Sequence, residues 1–274
     1  MSDPTKVLQH YGRSDIRATL EAALVAAGLG EGRLSPADLA PLDQFHTRGM
    51  AATIELGAAL GIVPEARGID IGSGLGGPSR YLAAKFGCHV QGVDLSPAFV
   101  EAATYLATRA GLGDKVAYDC ADALALPYDD RQFDFAWTQH VAMNIADRPR
   151  LYREVHRVLK PGGKFAAYDV VAGSGGALHF PVPWSRTPET SFLVTPDAMR
   201  TALEQAGLEV VTWDDRTQAA VSWFAEQQKV RPAAAPPLGL HVAMGPDFPA
   251  LSANLGRNLH EGRVGIVQAI LQRR

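Results

Sequence analysis

Apolar positions recur at helical spacing through the first sixty residues. From 15 to 27 alanine and leucine repeat with a helical period, and Gly28-Leu29-Gly30 supplies a stop. Ser35-Pro36 is a cap followed by a first-turn proline. A further amphipathic stretch spans 47–60, with Gly61 at its end. The pattern then alternates. Short apolar runs at 67–71, 89–93, 115–119, 133–137 and 163–169 predict strands, and helical spacing predicts helices at 78–86, 97–110 and 149–158. Such alternation predicts an α/β fold built on a doubly wound, mostly parallel sheet with helices on both faces.

Beyond position 169 the regularity breaks. Residues 172–194 are loop-like, a helix opens at Thr195-Pro196-Asp197, a strand covers 208–213, and a helix covers 215–229. The stretch 231–240 carries Pro232, Pro236 and Pro237 and reads as a linker or lid loop, and 264–271 reads as a closing strand. The expected organisation is one domain in three parts. Residues 1–64 form a helical N-terminal lid, 65–171 a ligand-binding core, and 172–274 a cap with closing strands. The aromatics Phe180, Trp184, Phe192, Trp223, Phe224 and Phe248 fall in the late insertions. They are either cap packing or the wall of an apolar pocket that takes a planar ring or a cationic amine.

Composition narrows the class. The chain has 274 residues, 47% hydrophobic and 20% charged, with a net charge of −3. That balance suits a globular protein and argues against a nucleic-acid footprint. No apolar run reaches the length of a membrane span, and the first residues lack a signal peptide's apolar stretch, so a cytoplasmic location is expected. Cys88 and Cys120 form no metal or disulfide spacing and are expected to be ordinary buried thiols. No metal site is apparent. Nothing sets the oligomeric state, and a homodimer stays open.

The chemistry gathers at predicted strand ends. The segment Asp70-Ile71-Gly72-Ser73-Gly74-Leu75-Gly76-Gly77-Pro78 runs from a strand through alternating glycines into a helix. Glycines permit a tight turn and close backbone approach to a ligand, and the helix amino terminus offers free N–H groups. Gly72, Gly74 and Gly77 also satisfy the dinucleotide pattern G-x-G-x-x-G, so a nicotinamide-dependent oxidoreductase is the rival class. Asp70 disfavours it, being awkward beside a pyrophosphate and suited to a ligand with a charged amino group. Asp94, ending the second strand, is placed to accept ribose hydroxyls. Asp122 follows the third strand, where a carboxylate accepts an exocyclic amine. Gln139 and His140 end the fourth.

The order Asp70-x-Gly72-x-Gly74-x-Gly76, Asp94-Leu95-Ser96, Asp122-Ala123 and Leu159-Lys160-Pro161-Gly162-Gly163 resembles the class I S-adenosylmethionine (SAM) methyltransferases over residues 65–170. The finer texture is similar to the ubiquinone-biosynthesis and sarcosine/dimethylglycine methyltransferase-like branch. The resemblance implies a Rossmann-like sheet and SAM as cofactor, leaving as S-adenosylhomocysteine (SAH). Its cofactor residues would be Asp70, Gly72, Ser73, Gly74, Gly76, Asp94, Leu95, Asp122, Ala123 and Gln139, with Tyr11 in a segment folding over SAM. Arg48 and Arg80 are candidates for the methionine carboxylate. A small-molecule acceptor is implied, not nucleic acid: after the fourth strand stands Thr138-Gln139-His140-Val141, not the Asn/Asp-Pro-Pro-aromatic signature of amino-methylating nucleic-acid enzymes.

His140 is the candidate general base, since imidazole titrates near neutral pH; the alternative is a loop histidine that only shapes the pocket. Asp169 is a candidate to orient it, and His46 a weaker candidate to face the pocket. A small amine acceptor needs no base in the transfer step, whereas a ring carbon or phenol does. N-methylation is therefore weighed against C- or O-methylation of an apolar ring. A non-catalytic SAM-binding module is the third class.

Overall fold

The computed structural model describes residues 15–229 and 236–274. Tyr11 and part of the 231–240 stretch lie outside them. The N-terminal part forms α1 (Ile16–Ala26), α2 (Pro36–Asp43) and α3 (Gly49–Leu60). Ser35 and Asp38 close a reciprocal capping box on α2. The third helix starts two residues later than its apolar pattern because Arg48, at its N-cap, takes a left-handed conformation (φ 66°).

The core follows as β1 (Arg67–Ile71), α4 (Gly77–Phe86), β2 (His89–Asp94), α5 (Pro97–Arg109), β3 (Val116–Cys120), β4 (Phe133–Gln139), α6 (Arg148–Val158) and β5 (Leu159–Ala172). Then come α7 (Pro196–Gln205), β6 (Leu208–Asp215), α8 (Thr217–Lys229), α9 (Leu240–Met244), α10 (Phe248–His260) and β7 (Val264–Arg273). The sheet has seven strands in the order β3-β2-β1-β4-β5-β7-β6. The first five are parallel, and β7 lies antiparallel between β5 and β6.

Leu82, Ala102, Leu106 and the leucines of α1–α3 fill one face of the sheet, and Leu151, Val155, Met199 and Leu203 the other. This is the doubly wound arrangement that the strand–helix alternation predicts. Strand order reverses between β1 and β4, and a parallel sheet opens a ligand crevice outside the carboxyl ends at such a point. The glycine turn leaves β1 there, and Gln139-His140 leaves β4 there.

The cap departs from the sequence reading. The segment 248–260 carries no predicted helix, yet α10 forms and buries Leu251, Leu255 and Leu259. That four-residue spacing, with Pro249 in the first turn, is its signal. Cys88 is buried as expected, but Cys120 is exposed. It closes the edge strand β3, with its Sγ 3.5 Å from the carbonyl of Leu95.

Candidate active site

The glycine turn is held from several sides. The N–H groups of Gly72 and Ser73 both donate to the carbonyl of Val93 (2.7 and 3.0 Å), and that of Gly74 donates to Oδ2 of Asp94 (2.8 Å). Gly72 has φ 73°, and a β-carbon there would stand 2.5 Å from Val141. At Gly76 (φ 74°) one would stand 2.1 Å from the hydroxyl of Tyr118. Conformation and space both demand glycine at these two positions.

Asp70 is buried behind the turn and off the cavity wall. Ser79 donates to its Oδ2 at 2.6 Å, and burial, with a smaller push from Asp94, raises its carboxyl to about 7. Asp94 lines the cavity and accepts from the N–H of Ser96 as well (2.9 Å). Desolvation raises its pKa against the pull of these backbone donors. The cap of α5 is Ser96 itself, through the N–H of Phe99. Asp122 accepts from the N–H of Leu124 in an Asx turn (2.9 Å) and, with Leu95 and Ala123, stands on the wall.

At the end of β4, Gln139 spends its Oε1 on Trp137 Nε1 (3.1 Å) and Thr53 Oγ1 (3.2 Å), while its Nε2 is buried without a partner. His140 follows in the left-handed region (φ 55°), its N–H donating to the carbonyl of Tyr168 (2.8 Å). Its ring stacks on that of Tyr168 at 5.5 Å with 6° between planes, and Nε2 lies 3.4 Å from Thr47 Oγ1. Burial, and His46 beside it, hold the imidazole well below the usual histidine range. The ring of His46 lies 6.1 Å away, off the cavity wall. Its Nε2 meets the carbonyl of Gly49 at 3.0 Å, which can only accept, so the proton sits on Nε2.

Two sequence expectations need correction. Asp169 does not hold the imidazole of His140. Its buried Oδ1 accepts from the N–H groups of Val141 (3.1 Å) and Ala142 (3.3 Å), so it pins the backbone after His140. Arg80 does not face the cavity: it is fully buried, with Nη2 on Asp43 at 2.6 Å and Nη1 on the carbonyl of Leu75 at 2.7 Å. Arg48 is also off the wall, paired with Glu55 (2.8 and 2.5 Å).

One cavity brings Gly72, Gly74, Asp94, Leu95, Asp122, Ala123, Gln139 and His140 together with the cap. Of the six aromatics in the insertions, Trp184 and Phe248 line it. Trp223 and Phe224 instead pack on each other at 4.9 Å. Sequence reading missed Phe45, Met143, Asn144, Ile145, Pro183 and Met244 on the wall. Met143, Asn144 and Ile145 were within reach, because they follow β4 closely at the switch point; Phe45, Pro183 and Met244 come from distant segments that meet only in the fold. The cavity suits SAM on the structure's own terms: a glycine cradle, two wall carboxylates, and the unpartnered Nε2 of Gln139 on the wall.

The glycine turn and its acids fall within residues 69–167, which match the family described as "Methyltransferase domain". That family sets aside the nicotinamide alternative. Among relatives, the chain is similar to methyltransferase GfsG of Streptomyces halstedii, 36% identical over 49% of this chain and 48% of that protein. It is also similar to sarcosine/dimethylglycine N-methyltransferase of Halorhodospira halochloris, 31% identical over 66% of this chain and 64% of that one. The chain thus spans about half to two thirds of the length of these relatives. Its fold is that of geranyl diphosphate C-methyltransferase from Streptomyces coelicolor A3(2), with a TM-score of 0.72 over 99% of this chain and 98% of that one at 17% identity.

Proposed function

We propose that the protein is a SAM-dependent methyltransferase whose acceptor is a small molecule. The observation that carries this reading is the single cavity whose wall joins the glycine turn, Asp94 and Asp122 to His140, Trp184 and Phe248. When bound, SAM supplies an electrophilic methyl group. Gly72 and Gly74 permit close approach of the backbone, Asp94 and Asp122 offer carboxylate oxygens to hydroxyl and amine donors, and Gln139 offers its free Nε2 as a donor. The cap residues exclude water and align the acceptor, and alignment alone is worth several kcal/mol in such displacements. The three parts of the chain act accordingly, with 1–64 as lid, 65–171 as cofactor core and 172–274 as acceptor cap.

His140 is the chain's proton acceptor in this reading. It is uncharged at neutral pH and lies on the wall. For an acceptor that must lose a proton, His140→Ala is expected to lower kcat by about 10²–10⁴-fold and to leave the Kd for SAH unchanged. The test of the whole reading is calorimetric titration with SAH, followed by incubation with methyl-labelled SAM and separate pools of phenols, quinols and amines. Saturable SAH binding and label on one pool support it; failure to bind SAM or SAH overturns it.

A further inference from the structure

The acceptor end of the cavity is distinguished by what its wall carries. Beyond the cofactor residues the lining is Phe45, Met143, Ile145, Pro183, Trp184, Met244 and Phe248, with Asn144 and His140 as polar groups. Among the described lining residues the charged side chains are Asp94 and Asp122, and both belong to the cofactor end, Asp94 ending β2 and Asp122 following β3. No described lysine or arginine reaches the wall. The nearby cations are spent elsewhere: Arg80 is enclosed with Asp43, and Arg48 is clasped by Glu55.

A buried charge without a counter-charge is strongly disfavoured. Among the described residues, a carboxylate or phosphate entering this end would meet no cation. An ammonium would meet no described carboxylate at that end, in a site whose cofactor itself carries a positive sulfonium. His140, on this wall, is itself held uncharged, chiefly by burial. Trp184 adds no free polar contact, because its Nε1 already donates to Ser191 Oγ at 2.9 Å.

We infer that the methyl acceptor is an uncharged, largely apolar molecule presenting a hydroxyl or an acidic carbon, and not a small amine or amino acid. This rests on the methyltransferase reading and selects within it: C- or O-methylation in place of N-methylation. The neutral His140 and the amide of Asn144 are the groups that would meet the acceptor's polar edge.

The test separates the two readings. SAH is first titrated into the full-length protein, and absence of binding would count against the methyltransferase reading alone. The SAH-loaded protein is then titrated near neutral pH with three probes sharing one ring: naphthol (uncharged), naphthylmethylamine (cationic) and naphthoate (anionic). Naphthol is expected to bind at least about ten-fold tighter than either charged probe, a difference of about 1.4 kcal/mol. Equal or tighter binding of either charged probe overturns the inference. In Asn144→Asp the ammonium probe is expected to gain about ten-fold relative to naphthol. An unchanged ratio in that variant would show that wall charge does not set the choice, and would overturn the inference too.

Discussion

His140 directly follows β4 and is forced into the left-handed region, a conformation that costs a non-glycine residue of order 1–3 kcal/mol. The fold holds it there with the carbonyl of Tyr168, the stacked Tyr168 ring and the Asp169 anchor on the next two N–H groups. Such a residue has its side-chain direction decided by backbone. Its neighbour His46 gives a pH prediction. In the unfolded chain its imidazole protonates near 6.5, in the fold only near 4, because burial disfavours the cation. Between those values the unfolded state holds the extra proton, so the stability His46 contributes falls as pH falls through that window. His46→Gln is therefore expected to be the less stable protein at neutral pH, with the gap in Tm narrowing toward pH 4, as followed by thermal melts. At Gly72 steric and conformational demands add. Gly72→Ala is expected to cost about 1–3 kcal/mol in chemical denaturation and to weaken SAH binding at least about ten-fold by calorimetry. Adding Val141→Ala would relieve the contact but not the positive φ, so the recovery is expected to be partial.

At the scale of elements, the Asp43–Arg80 pair couples the end of α2 to α4, and α4 begins at the glycine turn. Both side chains are almost wholly buried, at 1% and 0% exposure, so removing one strands the other. Asp43→Asn is expected to lose about 3–5 kcal/mol, read from the urea midpoint at unchanged slope. Asp169 performs a comparable task between β5 and the turn after β4. Asp169→Ala leaves two buried N–H groups unpaired at about 1–3 kcal/mol each. The expected signature is a falling kcat with the backbone around His140 loosened, seen as faster hydrogen exchange at 141–142. The helix α10 brings Phe248 to the cavity from the cap.

For the molecule as a whole, the reversal of strand order between β1 and β4 decides where chemistry happens. In the proposed reading, cofactor residues come from the core and acceptor residues from the N-terminal part, the turn after β4 and the cap, so their functions should separate. Phe248→Ala is expected to raise the KM for the acceptor about ten-fold and to leave the Kd for SAH within about two-fold, since the lost contact is worth roughly 1.5–3 kcal/mol at most. Parallel changes in both constants would instead indicate that the cap shapes the whole cavity. Among the described residues no helix is long and apolar enough to cross a membrane.

The local pattern carried most of the architecture. Strand and helix periods, caps at Ser35, Ser96 and Thr195, and the glycine turn each depend on residues a few positions apart, so β1 to β5 and their helices were legible within one or two residues at most ends. The acids Asp94 and Asp122 were legible for the same reason, as strand-end residues, and both stand on the cavity wall. What the sequence by itself determined is therefore the doubly wound core and the strand-end residues that meet on one cavity wall. The tertiary structure alone decided the rest. It drew Arg80 inward to Asp43, turned Asp169 toward backbone N–H groups, brought Trp184 and Phe248 to the wall while leaving Trp223 against Phe224, and closed the acceptor end without a described charge. Those outcomes depend on which side chains meet across dozens of residues of intervening chain, and burial then selects which of their charges must be paired or absent.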